Sequence, residues 1–489
     1  MRGLSATLLT LLTLLILLPA GGQAQTLLSA DVPIDVPADV RIARNPDLAL
    51  IPAPPPPPGS LPPPPGSDIL APPVVPLETP AAQAYGPPAP GRQAMPPGIR
   101  PPGVGQALFD AVERATGSYP SVVAGKASVR ATDADLRAAK WQRFPSLSVE
   151  GFAWGGDHKQ LTSTVELDQP IWAGGRIGAA IHRAKASGVA TRAELDETVL
   201  NVALQISAAY YDMARYVQRQ AILEESLKEH RRLVDSIERR VAQEVSPRAD
   251  LELARSRAAQ VEQDLNLAVA QRAAATQRFL QLVGDPAYNP GIVPRYDPAL
   301  YAPSAAGALQ EAVTCSPTRR RLAGEVLVAR AEAEAARAAY MPQVSAQVSH
   351  NEIVGTRAGV ALRAELGGGF SQFAAADAAR LRQQASELQV AASEREIRET
   401  IAADLAENAA DRRNAAAGAV AARAAEAVTQ SYLRQYIAGR RTWLDVMNAV
   451  REAASAELAR SDAEISAMAS AARLLLNTCR WQPQAAGGS

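Results

Sequence analysis

The chain has 489 residues, of which 47% are hydrophobic but only 4% aromatic, and its 50 Lys and Arg balance 50 Asp and Glu to a formal net charge of 0. That balance gives no reason to expect nucleic acid or a strongly anionic surface as partner. The alanine-rich apolar content suits thin, closely packed helices better than a thick globular core.

Arg2 precedes the apolar run "LLTLLTLLILLPA", and small residues follow before Gln25, so residues 1–24 are expected to be a secretory signal cut after Ala24. Beyond it no stretch approaches the roughly 20 apolar residues of a spanning helix. If the chain crosses a membrane, strands must do it. Residues 25–103 are rich in proline, with "PAPPPPPGSLPPPPG" the densest part. Proline fixes φ, removes a donor and keeps the preceding residue out of helix, so this arm is expected to be an extended or disordered spacer. The folded part is expected from about Val104.

Two similar units follow, 104–300 and 301–480, with 481–489 as a short tail. Pro120 and Pro145 lie 25 residues apart, as do Pro317 and Pro342, and the pairs are displaced by the same 197 residues. Each unit runs from a helix-like segment (about 122–141 or 319–339) through proline into an alternating stretch: Leu147 and Val149 in the first, Val344, Ala346 and Val348 in the second. A second alternating stretch follows in each, Leu161–Leu167 and Ala358–Leu366. One apolar face beside one polar face fits a lipid-facing barrel strand, and each run is near the roughly 9–11 residues such a strand needs. A soluble half-buried sheet would alternate in the same way. Four strands cannot close a water-filled pore, and lipid does not tolerate open edges, so strands that enter lipid imply an oligomer.

After the strands the period changes. "VELDQPIWAGGRIGAAIHRAKA" alternates up to Pro170, turns through Gly174 and Gly175, and becomes helical. Helices are expected over about 175–245 and 371–438, each on the order of 100 Å long at 1.5 Å per residue. In the first, Val199, Val202, Ile206, Ala209, Met213 and Tyr216 recur in steps of three and four, continued by Leu223, Leu227, Val234, Ile237 and Val241 as a coiled-coil seam. His230 falls in that seam as a polar member. The first helix turns at Ser246 and Pro247. The second ends at Gly439, with Thr442 capping the next helix. Returning helices are expected over about 248–284 and 442–478.

This order of elements, with the junction "LDQPIWAGGRI" and the turns "SPRADLELAR" and "YIAGRRTWLD", resembles the TolC-type outer membrane factors, the outer membrane efflux and type I secretion channels. The resemblance covers about residues 104–480. It implies a mixed α/β membrane protein whose fold is a trimeric β-barrel, four strands per chain, continued by a long α-helical coiled-coil tunnel with two internal repeats per chain. The implied role is an exit channel in the outer membrane, its tunnel in the periplasm, which takes substrate from an inner-membrane ABC, RND or MFS transporter and a periplasmic adaptor. Outer membrane lipid is then a partner and nucleic acid is not.

By the same resemblance Pro170, Gly174 and Gly175 mark the passage from barrel to tunnel. The stretch "AELGGGFSQF" takes that place in the second unit, without the Pro and Trp. Tyr436, Arg441 and Asp250 are the implied gate at the tunnel mouth, with Asp445 beside them. Asn448 stands where well-known members carry an acid. Cys315 and Cys479 are an even pair in an exported chain; they lie at the two ends of the second unit, which should meet near the tunnel's midpoint, and are expected to bond.

No zinc-binding run, phosphate loop or serine elbow is present, and His158, His182, His230 and His350 are dispersed. No enzyme activity, metal site or cofactor is expected. The rival reading is a soluble periplasmic coiled-coil adaptor or scaffold.

Overall fold

The computed structural model describes residues 98–154, 160–364 and 369–483. The expected signal sequence, nearly all of the proline-rich arm, His158, Gly367, Gly368 and the last six residues lie outside the described residues.

Helix α1 (Gln106–Ser118) and α2 (Pro120–Trp141) lead into strands β1 (Ser146–Trp154) and β2 (Gln160–Trp172), the long helix α3 (Arg176–Ala242) and its return α4 (Arg248–Val283). Then α5 (Ala308–Cys315), α6 (Pro317–Ala338), β3 (Gln343–Asn351), β4 (Gly355–Arg363), the long α7 (Ser371–Ile437) and its return α8 (Trp443–Asn477) repeat the order. Pro120 and Pro317 each occupy a first helical turn, where the missing N–H costs nothing and a preceding helix cannot continue. The short helices α1 and α5 ahead of them were not anticipated from the sequence.

The four strands form one antiparallel sheet in chain order, with β2 against β3 and the outer edges of β1 and β4 unpaired among the described residues. The register pairs Leu147 with Leu167 and Val149 with Val165, then Leu167 with Val348, and Val344, Ala346 and Val348 with Leu362, Val360 and Ala358. Leu147, Leu167, Val348 and Ala358 therefore make an apolar row across all four strands, on a mainly apolar face that also carries Gln169, His350 and Thr356. The opposite face carries Glu166, Asp168, Ser345 and Gln347, and the Asp168 carboxylate accepts from Ser345 Oγ at 2.9 Å and Gln347 Nε2 at 2.6 Å. In β2 the apolar Val165 and Leu167 are exposed while Glu166 and Asp168 are half-buried, the reverse of a soluble half-buried strand.

Strand β2 does not stop before Pro170; it continues to Trp172, with an irregular register between those two residues. A bulge is where a strand can absorb a residue that lacks a ladder donor. β4 (Gly355–Arg363) begins three residues before the expected Ala358, while Glu365 and Leu366 of the expected strand lie outside the described residues. The chain then leaves the sheet through Gly174 and Gly175, with φ of +60° and +92°. At Gly174 a Cβ would stand 2.6 Å from Met341 Cβ, so only glycine lets the exit of β2 pass the approach to β3. The matching exit uses Gly369 and then Phe370 at φ +66°, a left-handed position costly for a side chain.

The two long helices have 67 residues each and the returns 36 and 35. α3 packs against α4 and α7 against α8, while α6 lies against both long helices. Arg321 Nε donates to Glu197 on α3 at 2.6 Å, and Arg319 Nε to Glu394 on α7 at 2.7 Å. Backbones meet closely at Gly324, where a Cβ would fall 2.8 Å from Ala190 Cα. The main core is a belt partway along the helices, where α1, α3 and α8 meet Phe279, Tyr301 and Trp481. Trp481, assigned from the sequence to the tail, is 1% exposed and stacks on Phe109.

Cys315 and Cys479 are bonded, with Cα atoms 6.3 Å apart. Beside them Arg480 Nε donates to Glu311 Oε2 at 2.8 Å and Arg480 Nη1 to the Ser304 carbonyl at 2.6 Å. The bond spans 164 residues, so reducing it frees a long loop in the unfolded chain, an effect typically worth about 2–4 kcal/mol. Cys315→Ser is expected to unfold several degrees below the oxidised protein in a thermal melt, and the oxidised protein treated with dithiothreitol should melt with the variant.

Candidate functional site at the helical hairpin tips

The tips are built by two tight turns. After α3 the chain reverses through Glu244, in a left-handed conformation, and Pro247, which stands just ahead of α4. After α7 it reverses through Gly439 at φ +70°. Thr442 then caps α8: its Oγ1 accepts from Asp445 N at 3.2 Å, and the Asp445 carboxylate accepts from Thr442 N at 3.2 Å, a reciprocal capping box. Asp445 is thus committed to the helix start, and its 3.9 Å pairing with Arg441 is a secondary attraction.

One small core joins both tips. Leu233 and Ile237 of α3, Leu251 and Ala254 of α4, Tyr436 of α7, and Val446, Met447 and Val450 of α8 are buried together, with Val234, Val241, Tyr432 and Trp443 at the edge. The period seen in the sequence placed Ile237, Val234 and Val241 there; Leu233 and Tyr432 it did not place.

The candidate gate residues are not assembled within one chain. Arg441 lies over the ring of Tyr432 at 4.3 Å and donates through Nε to Gln435 at 3.4 Å. Tyr436 is covered instead by Arg240, 5.3 Å from its ring, and its buried hydroxyl has no hydrogen-bond partner among the described residues. Asp250 sits in the first turn of α4, where a carboxylate favours the helix dipole, and it has no side-chain partner among the described residues. Asn448 is exposed, six residues beyond the cap and one turn past Asp445. Arg240 and Tyr432 were missed in the sequence; Arg240 is a basic residue in the last turn of a long helix, which reads equally well as dipole compensation.

His182 pairs with Glu334 at 2.9 Å and His350 with Thr356 Oγ1 at 2.9 Å, far apart in the chain order and on different elements. Among the described residues no group of His, Cys, Asp and Glu is placed to hold a metal. No described helix is long and apolar enough to cross a membrane.

Residues 111–285 match the family described as outer membrane efflux protein. The fold is that of the TolC-type outer membrane factors. CusC, a protein whose structures concern transmembrane channel formation, superposes with a TM-score of 0.68 at 16% identity over 80% of this chain and 99% of its own. VceC of Vibrio cholerae, an outer membrane protein, gives 0.66 at 19% identity over 76% and 95%. The open state of the MtrE outer membrane channel of Neisseria gonorrhoeae gives 0.66 at 17% identity over 80% and 94%. No curated protein matches the sequence. In outer membrane factor terms, the hairpin tips lie at the end of the long helices away from the sheet.

Near the tips His230 is buried in the α3 seam, with Nδ1 2.8 Å from the Ser226 carbonyl. Burial lowers its pKa, opposed by that hydrogen bond, while Arg451 lowers it and Glu229 raises it. A depressed folded pKa means the unfolded chain takes up the proton first. The helix pair therefore keeps its full stability above the ordinary histidine pKa of about 6.5 and loses part of it as pH falls toward the lower folded value. Thermal melts from pH 8 to pH 5 should show this loss for the native protein and a flatter profile for His230→Gln.

Proposed function

We propose that this chain is the outer membrane exit channel of an efflux system, working as a homotrimer with a periplasmic adaptor and an inner-membrane transporter. The observation that carries this reading is the sheet. It is mainly apolar on one face, polar on the other, nine residues tall in three of its strands, and unpaired at both edges among the described residues. In a bilayer each unpaired edge group would cost several kcal/mol, so the edges must pair with further strands. Three copies placed edge to edge would close a barrel with its polar face inward and carry the long helices on as a tunnel. The match to an efflux family favours efflux over type I protein secretion. The adaptor reading leaves the apolar sheet face without an occupant. Cross-linking in mild detergent should capture a three-chain species from material that salt washing leaves in the membrane. A protein released by salt, or a stable inserted monomer, would overturn the proposal.

Within this reading the tips are the gate. Arg441 and Asp250 would complete their hydrogen bonds across neighbouring chains when the mouth is closed, joined by the Tyr436 hydroxyl once its ring turns out of the tip core, and the capped Asp445 would hold Arg441 in position. Arginine suits this role because its planar five-donor group can serve two acceptors at once. Arg441 is more than a third exposed, so each bond is worth only about 0.2–1 kcal/mol, repeated three times around the mouth. Arg441→Ala should raise single-channel conductance in planar bilayers without loss of the trimer. Asn448→Asp should add a ring of carboxylates and increase block by divalent cations. Unchanged conductance in a folded Arg441→Ala trimer would refute the assigned gate while leaving the channel reading intact.

A further inference from the structure

Away from the tips, the segment between α4 and α5 crosses the outside of the helices and roofs a cavity of about 760 Å³ over α3, α7 and α8. Its walls hold four arginines, Arg295 and Tyr296 coming from the crossing segment, Arg412 and Arg413 from α7, and Arg460 from α8. Arg460 is spent. It donates to Glu464 at 2.8 Å and is paired with Glu457 as well, and the hydrogen bond to Glu457 is the main influence that raises its pKa.

The other three arginines have no ion pair among the described residues. The Nε of Arg412 is buried with no acceptor, and so is the hydroxyl of Tyr296. Burial pushes the Tyr296 phenol pKa up, and Arg412 is the cation that opposes it, so the two unpartnered groups stand in one electrostatic neighbourhood. Asp297, which acts on the same phenol, is held in its own turn, where its Oδ1 accepts from Ala299 N at 2.9 Å. Glu464, a wall residue already bound to Arg460, and Asp411, which is outside the wall, also raise the phenol pKa.

Buried polar groups ordinarily find partners, and a guanidinium edge beside a phenol is a donor set with no acceptor supplied by the chain. We propose that this cavity is a binding site for a multivalent oxyanion, bearing carboxylate or phosphate groups, held by Arg412 and the Tyr296 hydroxyl with Arg295 and Arg413 adding charge. Glu457 and Glu464, the carboxylates engaged by Arg460, leave one negative charge on that wall against three unpaired arginines, so the lining is positive on balance and favours a ligand with more than one negative group over an uncharged polyol. A bound anion would tie the crossing segment to α7 and so stiffen the belt between the repeats. The site is independent of the channel reading, since it uses no residue of the sheet or the tips.

The test is calorimetric titration of the purified full chain in detergent with sodium citrate, and separately with inorganic phosphate, at constant ionic strength. Saturable binding of at least one anion is expected, weakened at least tenfold in Arg412→Gln and less in Tyr296→Phe. Arg412→Lys should recover only part of the affinity, because a point charge lacks the guanidinium edge. The bound anion should also raise the melting temperature of the native protein but not of Arg412→Gln. Citrate alone binding would assign carboxylates, and phosphate alone would assign phosphate. If Arg412→Gln does not fold, Arg413→Gln, whose side chain is exposed, should still weaken binding severalfold. Absence of saturable heat with either anion, or equal affinity in the folded arginine variants, would overturn the site.

Discussion

The structure depends on how an open-edged sheet can be satisfied. Backbone N–H and C=O groups on the free sides of β1 and β4 have no strand partner among the described residues, and the face beside them is mainly Leu, Val and Ala. In water such a sheet would be an aggregation template; in lipid its edges would be intolerable. Both problems are removed when β1 of one copy pairs with β4 of the next, which is why the proposed function requires an oligomer before it requires anything about substrate. The long helices inherit that arrangement, because each is joined to the sheet by a few residues only.

Those joints explain a sequence that changes period without a loop. Pro170 inside β2 is accommodated by an irregular register, and two glycines then turn the chain. The first must be glycine because Met341 and Pro342, arriving at β3, occupy the space of a side chain. The same crossing in the other half uses Phe370 in a left-handed conformation, its ring tilted against that of Phe373 with centroids 6.0 Å apart.

Periodicity made most of this architecture legible. Alternation marked the strands, steps of three and four marked the α3 seam, and the equal spacing of prolines marked the two units. What escaped was whatever depends on a partner distant in sequence. Trp481 looks like a tail residue until Phe109 is set beside it, and α5 is too short for its period to stand out. At the tips, turn chemistry disclosed Thr442 as the cap of α8, because that signal is local, but not the reciprocal bond that commits Asp445, expected beside the gate, to the helix start. Arg240 over Tyr436 was invisible, since their nearness comes from the packing of two hairpins 196 residues apart in the chain. The unpaired arginines of the roofed cavity were hidden for the same reason.

The tip core limits how a gate at this position can move. Leu233, Ile237 and Leu251 from one hairpin share their buried surface with Tyr436, Val446 and Met447 from the other. Prising the hairpins of one chain apart would expose these side chains, at about 25 cal/mol for each Å² uncovered, and would also break the cation–π contact of Arg240. The groups left without partners, the Asp250 carboxylate and the Tyr436 hydroxyl, resist nothing within the chain. In the channel reading, separation between neighbouring chains breaks only half-exposed polar bonds, each weaker than the apolar core. The cheaper opening therefore keeps each pair of tips together and parts the chains, with Arg240 acting to hold the pair while Arg441 acts at the seam.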